Sequence, residues 1–171
     1  MGEYLYYRDL SPNGSNLTTE LYYSGTGNGS LTPEYGTRTI QVPVSPKGVS
    51  SNYFTGARVW VEGTVSLPYN EVVNDPGVWR SSGNYKLWEV KINGNTHADN
   101  YGTGWGTHTV NTHGVEVDLG DTVTVTLSAP GNHITPGRTG TYKYTVHFTN
   151  LILVIKYHIN WPSETHITAA T

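Results

Sequence analysis

Apolar and polar residues alternate with a period of two along most of this chain, as they do on strands whose side chains point to opposite faces. Residues 114–128 show it most clearly. Val115, Val117 and Leu119 share one face with Glu116 and Asp118 on the other, and Leu119-Gly120-Asp121 supplies a turn. Beyond the turn, Val123, Val125 and Leu127 alternate with Thr122, Thr124 and Thr126. Residues 57–66 repeat the pattern, with Val59, Val61 and Val65 opposite Arg58, Glu62 and Thr64. Ile40, Val42 and Val44 mark a strand that ends at Ser45-Pro46-Lys47-Gly48, a string of turn formers. Trp88, Val90 and Ile92 form a face that stops at Asn93-Gly94, the strongest short hairpin signal. Tyr142, Tyr144, Val146 and Phe148 line a further strand against Lys143, Thr145 and His147.

The parity then breaks. Residues 151–155 are apolar at both parities, which predicts a bulge near Thr149-Asn150 and then a strand covered on both faces, by another sheet or another subunit. Residues 4–7 and 17–23 are weaker strand candidates, and 24–33 and 99–106 read as loops. No stretch carries the i, i+3, i+4, i+7 spacing of an amphipathic helix. The expected fold is all-β: one antiparallel β-sandwich over 1–171, jelly-roll or Ig-like, of roughly ten short strands. Segments 1–34 and 162–171 are expected as assembly arms. In the core belong Val59, Val61, Trp88, Val90, Val115, Val117, Val123, Val125, Val146 and Phe148, with Thr122, Thr124 and Thr126 more exposed.

Composition narrows the function. At 171 residues with a net charge of −3, the chain lacks the basic surface that nucleic-acid binding needs, so no nucleic-acid partner is expected. With 12% aromatics and only 13% charged residues it is also unlike a disordered chain. There is no cysteine, which excludes disulfides and thiol chemistry. The apolar run 151–155 is far too short for a membrane helix, and the start of this chain lacks the pattern of a signal peptide. No membrane insertion is expected.

Chemistry-bearing patterns are sparse. His97, Asp99, His108 and His113 fall close together in sequence, but no H-x-H or H-E-x-x-H spacing occurs, so they read as surface residues and no metal is expected. No G-x-S-x-G elbow or phosphate-binding loop is present. The carboxylates Glu62, Glu71, Asp75, Glu89, Asp99, Glu116, Asp118 and Asp121 are scattered, and nothing selects a catalytic pair. The reading is non-enzymatic, with no catalytic residue and no cofactor.

The aromatic set is more informative. Tyr occurs 13 times and Trp 5 times against 2 Phe, a bias toward side chains with one apolar and one wet end. Trp79, Tyr101 and Trp105 in loops, and Trp60 beside Arg58 and Glu62 on a polar face, are the candidate ligand-binding residues. Tyr4, Leu5, Tyr6 and Tyr7, together with Ile152 and Val154, are the self-assembly candidates, because a terminal strand added to a neighbour's open edge would bury both segments.

The run Val117-Asp118-Leu119-Gly120-Asp121-Thr122-Val123-Thr124-Val125, the Thr/Asn/Gly/Tyr-rich surface and the absent cysteine resemble β-sandwich modules of phage and virus particles, such as tail-fibre, spike and capsid-decoration domains. The resemblance implies an assembly or attachment role in a virion or extracellular appendage: a homo-oligomer whose further partner is a glycan or cell-surface receptor. The same G-D-T-V turn occurs in carbohydrate-binding modules, the alternative reading.

Overall fold

The computed structural model describes residues 4–11, 15–23, 36–46, 51–67, 86–101, 106–129 and 140–160. The strands are β1 (Tyr4–Asp9), β2 (Ser15–Tyr23), β3 (Thr37–Pro43), β4 (Phe54–Leu67), β5 (Lys86–Ile92), β6 (Asn95–Tyr101), β7 (Gly106–Asn111), β8 (Val115–Val117), β9 (Thr122–Ser128) and β10 (Gly140–Ile159). A single 3₁₀ turn, Ser51–Tyr53, precedes β4. All pairings among the described strands are antiparallel.

Two sheets form. The six-stranded sheet runs β1-β10-β4-β7, with β2 also on β10 and β8 also on β4; the four-stranded sheet runs β3-β9-β5-β6. The pairings nest: β2 with β10, β3 with β9, β4 with β7 and β8, and β5 with β6. One long hairpin, folded so that successive pairs fall in alternate sheets, gives this arrangement, which is that of a jelly roll. Of the two expected sandwich topologies, the jelly roll is the one formed.

Strand faces follow the alternation. Val59, Val61, Trp88, Val90, Val117, Val123, Val125, Val146 and Phe148 are buried in the core, Val115 is partly buried against it, Thr122 is exposed and Thr124 and Thr126 are half-buried. Asn93 (φ 50°) and Gly94 (φ 83°) make the tight β5–β6 turn, and the Asn93 side chain accepts a 2.9 Å hydrogen bond from the Thr124 amide of β9. One loop expectation is corrected, because 99–101 belong to β6. β6 is an edge strand of polar Asn, Thr, His and Asp residues, so it carries no apolar alternation to read.

The expected bulge is present, and it belongs to a crease across the larger sheet. The β10–β4 register shifts between Thr149 and Ile152, where Asn150 takes φ 52°. On one side of β10 the chain breaks between β1 and β2. There Leu10 donates to the Leu151 carbonyl (2.8 Å) and the buried Ser11 hydroxyl accepts from the Leu151 amide (2.9 Å). On the far side of β4 the chain breaks between β7 and β8. There Thr112 donates its amide to the Val61 carbonyl (3.0 Å), and its hydroxyl accepts from the Val61 amide (2.9 Å). Ser11 and Thr112 thus replace ladder bonds that the breaks would otherwise leave unmade in a buried place, where an orphaned amide costs about 1–3 kcal/mol.

Tyr4, Phe54 and Tyr157 pack ring to ring, with centroids 5.1–5.6 Å apart. Tyr157 also hydrogen-bonds the backbone of Ser45, which follows β3 in the other sheet. Burial, with Tyr4 and Tyr6 nearby, pushes its phenol up to about 12. An unfolded tyrosine ionises near 10, so between pH 10 and 12 the unfolded chain releases a proton that the folded one holds. Stability should therefore be intact below pH 10 and fall across that window, by at most about 1.4 kcal/mol per pH unit. Urea melts against pH should show this slope reduced in Tyr157→Phe; an unchanged slope would assign the loss to other groups.

Candidate functional site

On β4, alternation sends Val59 and Val61 inward and leaves Arg58, Trp60 and Glu62 on the outer face of the larger sheet. The bulge in β10 then sets Ile152, Val154, Lys156 and His158 on that same face, opposite in parity to the core residues Leu151, Leu153, Ile155 and Tyr157. The registers align three rows across the sheet. They are Tyr7–Val154–Trp60, Leu5–Lys156–Arg58–Glu116 and Asp9–Ile152–Glu62–Asn111.

The β8 register, continued one residue, places Gly114 opposite Trp60; the β7 register reaches Thr112, so His113 is the extra residue between them. Gly114 has no side chain to fill its place in the row, and Arg58 lies over it, so that a Cβ there would collide with the Arg58 side chain. The result is a shallow depression of about 360 Å³ lined by Arg58, Trp60, Glu62, Asn111, Thr112, Gly114 and Lys156. Trp60 Nε1–H donates to Glu62 Oε1 at 2.8 Å. Arg58 reaches Glu116 at 3.6 Å, and Glu116 meets His158 Nε2 at 2.5 Å. The cations Arg58 and Lys156 are balanced by Glu62 and Glu116, so no strong field of one sign builds up. An aromatic face ringed by mixed donors and acceptors can hold a polar, uncharged ring.

A second feature lies at the open side of the sandwich. A cleft of about 560 Å³ runs between β1 and β3 and is lined by Tyr6, Tyr7, Arg8, Asp9, Gln41, Val42, Pro43 and Ser45. Among the described residues β1 pairs only with β10 and β3 only with β9, so the cleft separates two open edges. Leu5 (38% exposed) and Tyr7 (57%) are the exposed large apolar side chains among the described residues.

The assembly candidates therefore divide. Residues 4–7 are not free to be given to a neighbour, because they form an edge strand of this sandwich along β10. Tyr4 belongs to the core and Tyr6 packs against it, whereas Leu5 and Tyr7 point outward. Ile152 is half-buried and Val154 is only 2% exposed within the single chain, which leaves Val154 little surface to offer a partner. Sequence parity could not show this, because it does not tell which neighbours flank an outward side chain.

Trp79 and Trp105 lie outside the described residues, and Tyr101 ends the edge strand β6, its side chain outside them also. No family model matches this chain, and no curated protein matches it. A register shift between Val90 and Lys91 sets His97 at an irregularity, so its parity with Asp99 does not carry over from a regular strand. His108 is not a free surface histidine, since its ring faces the Trp88 ring at 6.4 Å. Among the described residues no three His, Asp or Glu side chains converge as a metal site would require. Glu89 and Asp99 do pair across β5 and β6, but Glu89 is buried and accepts from Thr96 Oγ1 (2.6 Å) beside Lys91 (3.7 Å), a structural arrangement. Asn111, Thr112, Gly114 and Lys156 were not singled out in the sequence; the only local trace was the lapse of alternation at Thr112-His113-Gly114.

Proposed function

We propose that this protein is a non-enzymatic, self-associating structural module of a virion or extracellular appendage. The observation that carries the reading is the outer edge of β1, open among the described residues, with Leu5 and Tyr7 exposed on that strand and the cleft beside it. Soluble monomers usually blunt such an edge with Lys, Pro or cover, because unpaired backbone groups beside apolar side chains invite another strand. Pro43 blunts β3 at the cleft, whereas on β1 the charges Arg8 and Asp9 stand only at its end and Tyr4–Tyr7 carry neither charge nor proline. The occupant we assign is a strand of a second copy, hydrogen-bonded along β1 with side chains seated in the cleft. Jelly rolls build both capsid and lectin domains, so the architecture accommodates this role and, by analogy only, agrees with it.

Light scattering on the full chain tests the reading. The parent should give a mass that is a multiple of 18.8 kDa, and Leu5→Lys/Tyr7→Lys should return it to the monomer. Deleting residues 1–10 would be a poorer test, since it also removes Tyr4 from the core. A monomeric parent, or a double variant with unchanged mass, ends the proposal.

A further inference from the structure

The geometry points to a second activity on the outer face of the larger sheet: the Trp60 depression binds a neutral pyranose ring of an oligosaccharide. This does not rest on self-association, and the two readings fail separately, because mass reports one and saccharide titration the other.

Four observations carry it. Trp60 is tied through its indole N–H to Glu62, so the plane of the ring is set before a ligand arrives, which removes part of the ordering cost of binding. The glycine opposite Trp60 leaves its place in the row to the Arg58 side chain, which lies across it and brings the guanidinium beside the ring. Around the depression stand donors (Arg58 and Lys156), an acceptor (Glu62) and an amide that is both (Asn111), brought by β4, β10 and β7. A sugar hydroxyl also donates and accepts, so adjacent hydroxyls match a mixed set of this kind better than an anion or an apolar ligand would. Finally, the charges balance, and about 360 Å³ sits at the small end of ligand sites, room for one or two sugar rings rather than a large cofactor. The axial C–H groups of one pyranose face would stack on the indole while its hydroxyls reach the polar rim. Arg58, lying over Gly114 and steadied by Glu116, is the positioning residue on that side.

The test is a titration of the full chain by saturation-transfer NMR with four tetrasaccharide probes: β-1,4-glucose, α-1,4-glucose and β-1,4-mannose tetraoses, and α-1,4-tetragalacturonate as the anionic arm. At least one neutral tetraose should saturate by ~10 mM, with affinity lowered about tenfold or more in Trp60→Ala and in Asn111→Ala. Trp60→Phe, which keeps an aromatic face, should retain part of the binding. Gly114→Ala should weaken it by displacing Arg58, with circular dichroism unchanged. Asn111 is exposed and Trp60→Phe conservative, so a failure of Trp60→Ala to fold leaves the question answerable. No binding of any neutral tetraose, equal binding by folded Trp60→Ala, or a preference for the galacturonate would overturn the assignment.

Discussion

Gly63→Ala should come close to unfolding the protein. The added Cβ would stand 2.6 Å from Leu151 Cα, 2.7 Å from Leu151 Cδ1 and 2.8 Å from the Asn150 carbonyl oxygen. Two of those three atoms are backbone. They cannot step aside, because Leu151 is held through its amide by Ser11 and through its carbonyl by Leu10, and it sits in the bulge of the longest strand. Gly63 itself has φ 154°, a conformation L side chains rarely adopt. Overpacking of about 1–3 kcal/mol and backbone strain of similar size add to a loss of roughly 2–6 kcal/mol, much of the stability of an ordinary domain. Gly94→Ala and Gly120→Ala are the controls. Their φ values are also positive (83° and 87°), but nothing stands within 4 Å of either Cβ, so only the strain remains, about 1–2 kcal/mol. Guanidinium midpoints for the three variants should separate accordingly. A loss at Gly63 no larger than at Gly120 would mean the crease is soft.

Phe54→Ala should remove about 3–5 kcal/mol and, unlike a cavity elsewhere, should loosen one particular strand. Phe54 is buried between Tyr4 and Tyr157, with ring centroids 5.1 and 5.3 Å away, and such aromatic contacts add to the loss of buried area. Tyr4 is the buried anchor of β1, whose outward residues Leu5 and Tyr7 are exposed. Without Phe54 the anchor loses its seat. Amide exchange along Tyr4–Asp9 should then accelerate more than in β4 or β9, a local opening below the global one. Because β1 is also the proposed assembly edge, the variant should lower the mass of the particle although Phe54 is not at the surface. Uniform acceleration across both sheets would show that β1 is held by its ladder to β10 instead.

Trp60 illustrates how far a single strand can be read. Its outward direction, and its neighbours Arg58 and Glu62, followed from alternation alone. Asn111, Lys156 and Gly114 come from positions about 50 or more residues away, and they meet Trp60 only through the β4 registers with β7, β8 and β10. The same limit explains the terminal strand. Tyr4–Tyr7 alternate, but whether their apolar face met this sandwich or a neighbour's depended on whether β10 offered a free side at residues 152–157.

The sequence by itself determined the all-β class, the inward direction of the alternating apolar residues of β3, β4, β5 and β9 and of Val146 and Phe148, the Asn93-Gly94 turn and the bulge at Asn150. These are local properties: backbone dihedrals and side-chain parity are set within a few residues, and water sorts the two faces. Only the tertiary structure decided that the pairs nest as a jelly roll, that four strand columns crease at one height, and that a glycine stands opposite Trp60. Such features depend on which strands become neighbours. That choice is made by the packing of the whole core, and no period of two within one strand records it.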